Sequence, residues 1–220
     1  MGRFELTDIA ANENRVSVAH PEYAPVTATI DRARSNVRIE LHEGGSIAGA
    51  VTLNGEAVAG IQGSVLHNPR TSPVRTAYAT TDGNGAYAIE KAGSGPTLVY
   101  ATVELDGAFG ERFASRNVHV QDGAQTSLNF GFVTGGAAVE GAVTLDGLPQ
   151  ASAMVSVVLG AMNTGADIVR VRTDQQGGFR VEGLTAGSFE LQIRLPGMDD
   201  LITQPVTLVD GETQRAEITL

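Results

Sequence analysis

The stretch Gly49-Ala-Val-Thr-Leu-Asn-Gly55 recurs 92 residues later as Gly141-Ala-Val-Thr-Leu-Asp-Gly147. At the same offset Thr81-Asp82-x-x-Gly85-x-Tyr87 returns as Thr173-Asp174-x-x-Gly177-x-Phe179, and Ser64-Val65 returns as Ser156-Val157. Three matches at one offset align the residues between them without a gap. A chain that repeats itself in this way folds as copies of one unit. Farther on the offset becomes 88, where Val118-His-Val-Gln-Asp-Gly matches Val206-Thr-Leu-Val-Asp-Gly. The middle copy therefore holds about four extra residues near 106–110, a length change expected in a surface loop.

The opening of the chain reads as the closing part of the same unit. Gly2-Arg3-Phe4 corresponds to Gly85-Ala86-Tyr87, and residues 26–41 correspond to 118–132 and 206–220. This gives three units: the C-terminal half of one over 1–43, then complete ones over 44–134 and 135–220. The boundaries fall at Gly44-Gly45 and Gly135-Gly136, which are expected to act as short, flexible joints.

Within each copy apolar residues alternate, the period of half-buried strands. Ile47, Gly49, Val51 and Leu53 match Val139, Gly141, Val143 and Leu145. Tyr87 and Ile89 match Phe179 and Val181. Val99, Ala101, Val103 and Leu105 are aligned with Phe189, Leu191, Ile193 and Leu195. Leu128, Phe130 and Phe132 match Ala216, Ile218 and Leu220. No segment has a helical period. The fold class is all-β: tandem antiparallel β-sandwiches, Ig-like or transthyretin-like, two complete and one N-terminally truncated. In residues 1–43 four strands are expected, with Phe4, Val16, Val18, Ile30, Val37 and Ile39 on one face. That face would need covering. Either another chain completes the sandwich by self-association through 1–43, or the segment packs on the second copy, or it is poorly ordered.

Composition narrows the function. The net charge of −10 argues against nucleic acid as a partner. No run approaches the roughly 18 apolar residues of a membrane helix, so no membrane insertion is expected, and no signal-peptide pattern follows Met1. The chain has no cysteine, which excludes disulfides, Cys-ligated zinc and thiol nucleophiles. That absence fits an exported bacterial protein.

Each candidate site has a plainer reading. Asp82 and Asp174 could ligate calcium, but each loop offers one carboxylate where several oxygens must converge. The competing expectation is that Asp accepts backbone N–H groups while Gly85 and Gly177 supply positive φ. His20, His42, His67 and His119 lack the paired spacing of a zinc site, and the third copy has no histidine. Ser94, in Gly93-Ser94-Gly95, lacks the spacing of a nucleophile elbow. Asp199 and Asp200 adjoin in a loop instead of opposing each other across a cleft. Lys91 is the only lysine, so at most one Lys–Asn cross-link could form, and none is expected. Tyr23, Tyr78, Tyr87 and Tyr100 could stack sugars, although Tyr87 aligns with core Phe179. Arg70, Arg75, Arg112 and Arg116 could meet an anionic partner, against the ordinary reading of exposed strand-flanking charge. No catalytic, cofactor-binding or metal-ligating residue is assigned.

The run Thr173-Asp174-x-x-Gly177-x-Phe179 followed by Leu184-x-Ala186-Gly187-x-Phe189 resembles the carboxypeptidase regulatory-like domain, a transthyretin-like β-sandwich. The middle copy keeps Thr81-Asp82-x-x-Gly85-x-Tyr87 and then departs, with Gly93-Ser94-Gly95-Pro96 in the later turn. Residues 1–43 share the resemblance more weakly. It implies a fold and an accessory role: domains that pack beside catalytic domains, space modules apart or bind partners. It carries over no catalytic residue. The expectation is a non-enzymatic structural, spacer or protein-interaction region of an exported bacterial multidomain protein. It would be extracellular, on the cell surface or periplasmic, with other domains of the same polypeptide or another protein as partners and no cofactor. The alternatives are accessory domains of a larger secreted peptidase or glycosidase, or a glycan- or cell-wall-binding module.

Overall fold

A computed structural model describes residues 3–5, 14–30, 37–67, 76–104, 110–159 and 167–220, and every regular element among them is a strand. β1 (Asn14–His20) and β2 (Tyr23–Ile30) form a hairpin. The middle unit holds β3 (Gly45–Leu53), β4 (Glu56–Ala57), β5 (Gln62–His67), β6 (Thr76–Thr80), β7 (Ala86–Ala92), β8 (Gly95–Glu104), β9 (Glu111–Val120), β10 (Gln125–Ser127) and β11 (Phe130–Phe132). The third unit holds β12 (Ala137–Leu145), β13 (Leu148–Pro149), β14 (Met154–Val158), β15 (Asp167–Arg172), β16 (Gly178–Leu184), β17 (Gly187–Arg194), β18 (Ile202–Leu208) and β19 (Thr213–Thr219).

Both units are β-sandwiches on one plan. In the smaller sheet β3 pairs antiparallel with β4 and β7 and parallel with β10 and β11; β12 pairs antiparallel with β13 and β16 and parallel with β19. The larger sheets run β6-β5-β8-β9 and β15-β14-β17-β18. The inward residues of both sheets make two separate cores, one around Ile47, Val51, Ile89, Val99 and Phe130, the other around Val139, Val143, Val181, Leu191 and Ile193. Alternating Val and Ile supply these faces because branched side chains pack well on a pleated surface.

One glycine in each smaller sheet answers to a close approach. A Cβ at Gly49 would stand 1.7 Å from the Leu128 carbonyl oxygen, and one at Gly141 would stand 1.7 Å from that of Ala216. The last strand therefore lies against the first because that position has no side chain.

Two expectations are corrected. Val65 pairs with Val99, and Val157 pairs with Leu191, so the offset of 92 persists through β8. The counterpart of Val99 is Leu191, and that of Phe189 is Thr97. A slip of two keeps every side chain on its face, so alternation alone cannot detect it. The boundary glycines each bond into the unit they open. Gly44 N–H donates to Asp122 Oδ1 (3.1 Å), Gly135 N–H to the Gly183 carbonyl (2.9 Å) and Gly136 N–H to Asp210 Oδ1 (2.7 Å). Finally, the described residues among 1–43 contain two strands where four were expected. Phe4 is exposed, and Val37 and Ile39 are half-buried outside any strand. The hairpin seats Ala24, which is buried, against the middle unit, and Ala24 N–H donates to the His42 carbonyl (2.8 Å).

Candidate functional site

The repeated Thr-Asp phrase closes on itself. Asp82 Oδ1 accepts the N–H groups of Asn84 (2.8 Å) and Ala86 (2.9 Å), and Asp174 Oδ1 accepts those of Gln176 (2.9 Å) and Gly178 (2.7 Å). Gly85 and Gly177 take φ of 72° and 74° in these turns. The threonines that open the phrase are buried clamps. Thr81 Oγ1 accepts from Ile61 N–H (2.9 Å) and donates to the Val58 carbonyl (2.6 Å); Thr173 Oγ1 accepts from Ala153 N–H (2.8 Å) and donates to the Gln150 carbonyl (2.6 Å). Each hydroxyl satisfies a donor and an acceptor of a loop that has no ladder partner there.

Other candidates fall apart in space. Ser94 Oγ donates to Asp122 Oδ1, while His42 Nδ1 lies 3.8 Å from Asp122 Oδ2. The acid stands between the serine and the histidine, whereas a nucleophilic relay needs the histidine between. Tyr87 is buried, and its hydroxyl donates to the Leu128 carbonyl (2.7 Å); burial pushes its pKa up to about 12. His20 packs beside Tyr23 (5.1 Å between centroids). The side chain of His67 and the placements of Arg70 and Arg75 lie outside the described residues. Among the described residues no group of three or more His, Asp or Glu could hold a metal ion.

On the smaller sheet of the third unit a hollow of about 770 Å³ opens over Glu140, Arg180 and Arg215. Arg180 bonds Glu140 (2.6 Å) and Glu182 (2.6 Å), and Arg215 reaches Glu140 (3.3 Å). Hydrogen bonds from Arg215 and Arg180 hold the Glu140 carboxyl below its ordinary range, and the same carboxylates raise Arg180. These cations are held by carboxylates of their own sheet.

The arrangement that stands out joins the two sandwiches. β9 pairs antiparallel with β15 through Glu111↔Arg170, Arg112↔Val169, Phe113↔Ile168 and Ala114↔Asp167. The two larger sheets thereby become one sheet of eight strands in the order β18-β17-β14-β15-β9-β8-β5-β6. The extra residues of the middle copy make this possible. In the third unit the β17–β18 ladder stops at Ile193↔Ile202; its counterpart Ala101↔Ala114 is followed by Thr102↔Phe113, Val103↔Arg112 and Glu104↔Glu111. Those added rungs supply three of the four β9 residues that pair with β15.

Both faces of the seam are packed. On the outer side Phe113, Val158 and Ile168 form a small apolar cluster. Tyr100 lies 4.8 Å from Phe113 between centroids, and the Arg170 guanidinium sits 5.0 Å over the Phe113 ring. On the inner side lies Arg112, only 3 % exposed. Its Nη2 donates to the carbonyls of Gly183 (2.6 Å) and Glu182 (3.4 Å), and its Nη1 to that of Val133 (3.4 Å). Arg112 thus bridges the middle unit, the connecting segment and β16. Its Nε has no partner, and burial lowers its pKa. Arg116 makes the second crossing, with Nη1 2.8 Å from Asp167 Oδ1. The reading of Arg112 as exposed surface charge is therefore corrected. A guanidinium in a strand extension is buried when another sheet docks there, and carbonyl oxygens take up its Nη groups without a carboxylate.

Residues 138–220 match the family model of the carboxypeptidase regulatory-like domain. No curated protein matches the sequence. Among solved structures the chain is similar to the Bacillus anthracis TIE protein, at 17 % identity and a TM-score of 0.32, over 80 % of this chain and 34 % of that one. The chain thus spans about a third of the length of that protein. It is also similar to GBS52, the minor pilin of Streptococcus agalactiae, at 13 % identity and a TM-score of 0.37, over 79 % of this chain and 94 % of that one. The major pilin SpaD of Corynebacterium diphtheriae is 13 % identical at a TM-score of 0.34, over 80 % of this chain and 67 % of that one.

Proposed function

We propose that this chain is a non-catalytic structural segment of an exported bacterial multidomain protein, one that holds its neighbours at a fixed distance and angle. The observation that carries this reading is the β9–β15 ladder with Arg112 beneath it. Two domains joined only by a glycine pair would move independently; a shared sheet with a packed seam restrains their relative motion. Its place would be the cell surface, the medium or the periplasm. Its partners would be other domains of its own polypeptide or a second protein. The match of residues 138–220 to a regulatory-like domain favours a second reading, accessory service to a catalytic domain of a larger secreted enzyme.

The chain has no cysteine, so spin labels can be placed at will. Labels at Asn84→Cys and Gln175→Cys, on the exposed turns of the two units, should give one narrow distance distribution by pulsed electron resonance. A broad distribution would remove the basis for a rigid structural role.

A further inference from the structure

The outer faces of the two larger sheets occupy the same place in their units and carry opposite chemistry. Where the third unit has Arg170, Arg172, Glu190 and Arg194, the middle unit has Tyr78, Thr80, Leu98 and Thr102. The first set is an ordinary solvated sheet surface. The second set is uncharged on a chain of net charge −10, with Glu104 and Glu111 on the same face at its seam end. Tyr78 is 69 % exposed, with Ala77 and Ala79 packed inward on either side of it. Tyr78 and Tyr100 both pair with Ser64, so they share a face and stand two strand spacings apart, about 10 Å. Phe113 extends the row beside Tyr100.

We infer that this face of the middle unit binds a neutral polysaccharide, in which two sugar rings of one chain stack their apolar faces on Tyr78 and Tyr100. Three features select that occupant. Separate rings set two strands apart match a polymer of repeating flat units, whereas a protein hot spot needs a contiguous apolar patch sealed by a rim. The surrounding Thr80, Thr102 and Asn117 offer hydroxyl and amide groups that exchange hydrogen bonds with sugar hydroxyls. Among the described residues the cation beside these rings, Arg170, already lies over Phe113, which leaves it less able to draw an acidic polymer. This binding role goes beyond the structural one and stands independently of it.

Affinity electrophoresis of the whole chain through gels containing hydroxyethylcellulose, galactomannan or soluble starch, with alginate as the acidic control, tests the inference. At least one neutral polymer should retard the protein. Tyr78→Ala should weaken that retardation about tenfold and the double variant Tyr78→Ala/Tyr100→Ala should abolish it, as expected for lost ring stacking. Tyr78→Phe should stay within about twofold of the parent because the ring is kept. Tyr78 is exposed, so its single variants should melt like the parent protein; the double variant, which also takes Tyr100 from beside Phe113, is run at a temperature where circular dichroism shows it folded. The inference is overturned if no neutral polymer retards the chain, if retardation survives the double variant, if only alginate acts and salt abolishes the effect, or if the face captures a protein with no retardation by any polysaccharide.

Discussion

The middle and third units share a backbone plan, a turn phrase and a glycine at the same close approach, yet their last hairpins differ. The β17–β18 hairpin ends early, and its outer strand is guarded by Asp199, Asp200 and an in-strand Pro205, which has no N–H to offer a neighbour. The β8–β9 hairpin runs three rungs farther and finds a partner. Few residues separate a blunted edge from an interface. What changes is the length of the ladder, with one arginine placed where the new contact buries it.

The comparison can be broken first at the shared glycines. Gly49→Ala and Gly141→Ala would each drive a Cβ into a carbonyl of the closing strand, and each should cost its own unit about 3 kcal/mol or more. Urea titration of the two variants should give similar losses, and a mild effect in either would show that the two approaches are not equivalent. Arg112→Ala should come next. It removes the guanidinium's bonds to the Gly183, Glu182 and Val133 carbonyls and loosens the seam, at about 2–3 kcal/mol. Calorimetry should show the middle and third units melting together in the parent and as two transitions in the variant. An unchanged single transition would mean that Arg112 does not couple them. Smaller again are Thr81→Val and Thr173→Val, which keep shape and lose the hydroxyl; each should cost about 1–2 kcal/mol, equally in the two units.

The smallest effect separates the units by pH. Tyr87 in the folded chain titrates at about 12, above its ordinary 10. The folded state therefore holds this proton more tightly than the unfolded state does. The stabilisation is complete below pH 10 and is lost as pH rises from 10 to 12. The third unit has Phe179 at this place and no such loss. Tyr87→Phe should lower stability at neutral pH by about 1 kcal/mol through the missing bond to Leu128, and should flatten the alkaline slope of the middle unit. Equal slopes in parent and variant would remove Tyr87 as the cause.

Much of the fold was legible because a repeat exposes itself. Turn residues recur at fixed spacing, and Val and Ile alternate over Ile47–Leu53 and Val139–Leu145 alike. The seam was not legible. Arg112 follows Glu111 in an alternating strand, and nothing local distinguishes a charge that meets water from one that meets the carbonyls of a strand about 70 residues away. The four extra residues were visible, but a loop and a longer hairpin have the same length. Thr81 and Thr173 were read only as part of a turn signature, since a polar side chain is usually exposed and its burial depends on loop groups the sequence does not place. The aromatic face needed the ladder itself, because Tyr78 and Tyr100 become neighbours only through Ser64.

The parallel pairing of first and last strands governs how each unit bears tension. Chain enters the third unit at one end of the β12–β19 ladder and leaves at the other, so pulling on the two ends drags these strands past each other. Seven rungs, from Ala138↔Thr213 to Thr144↔Thr219, must then shear at once. In the middle unit the matching ladder is split into two sets of three by Leu128 and Asn129. Stretched end to end, the middle unit should yield at the lower force, and the third should hold as the last fixed link.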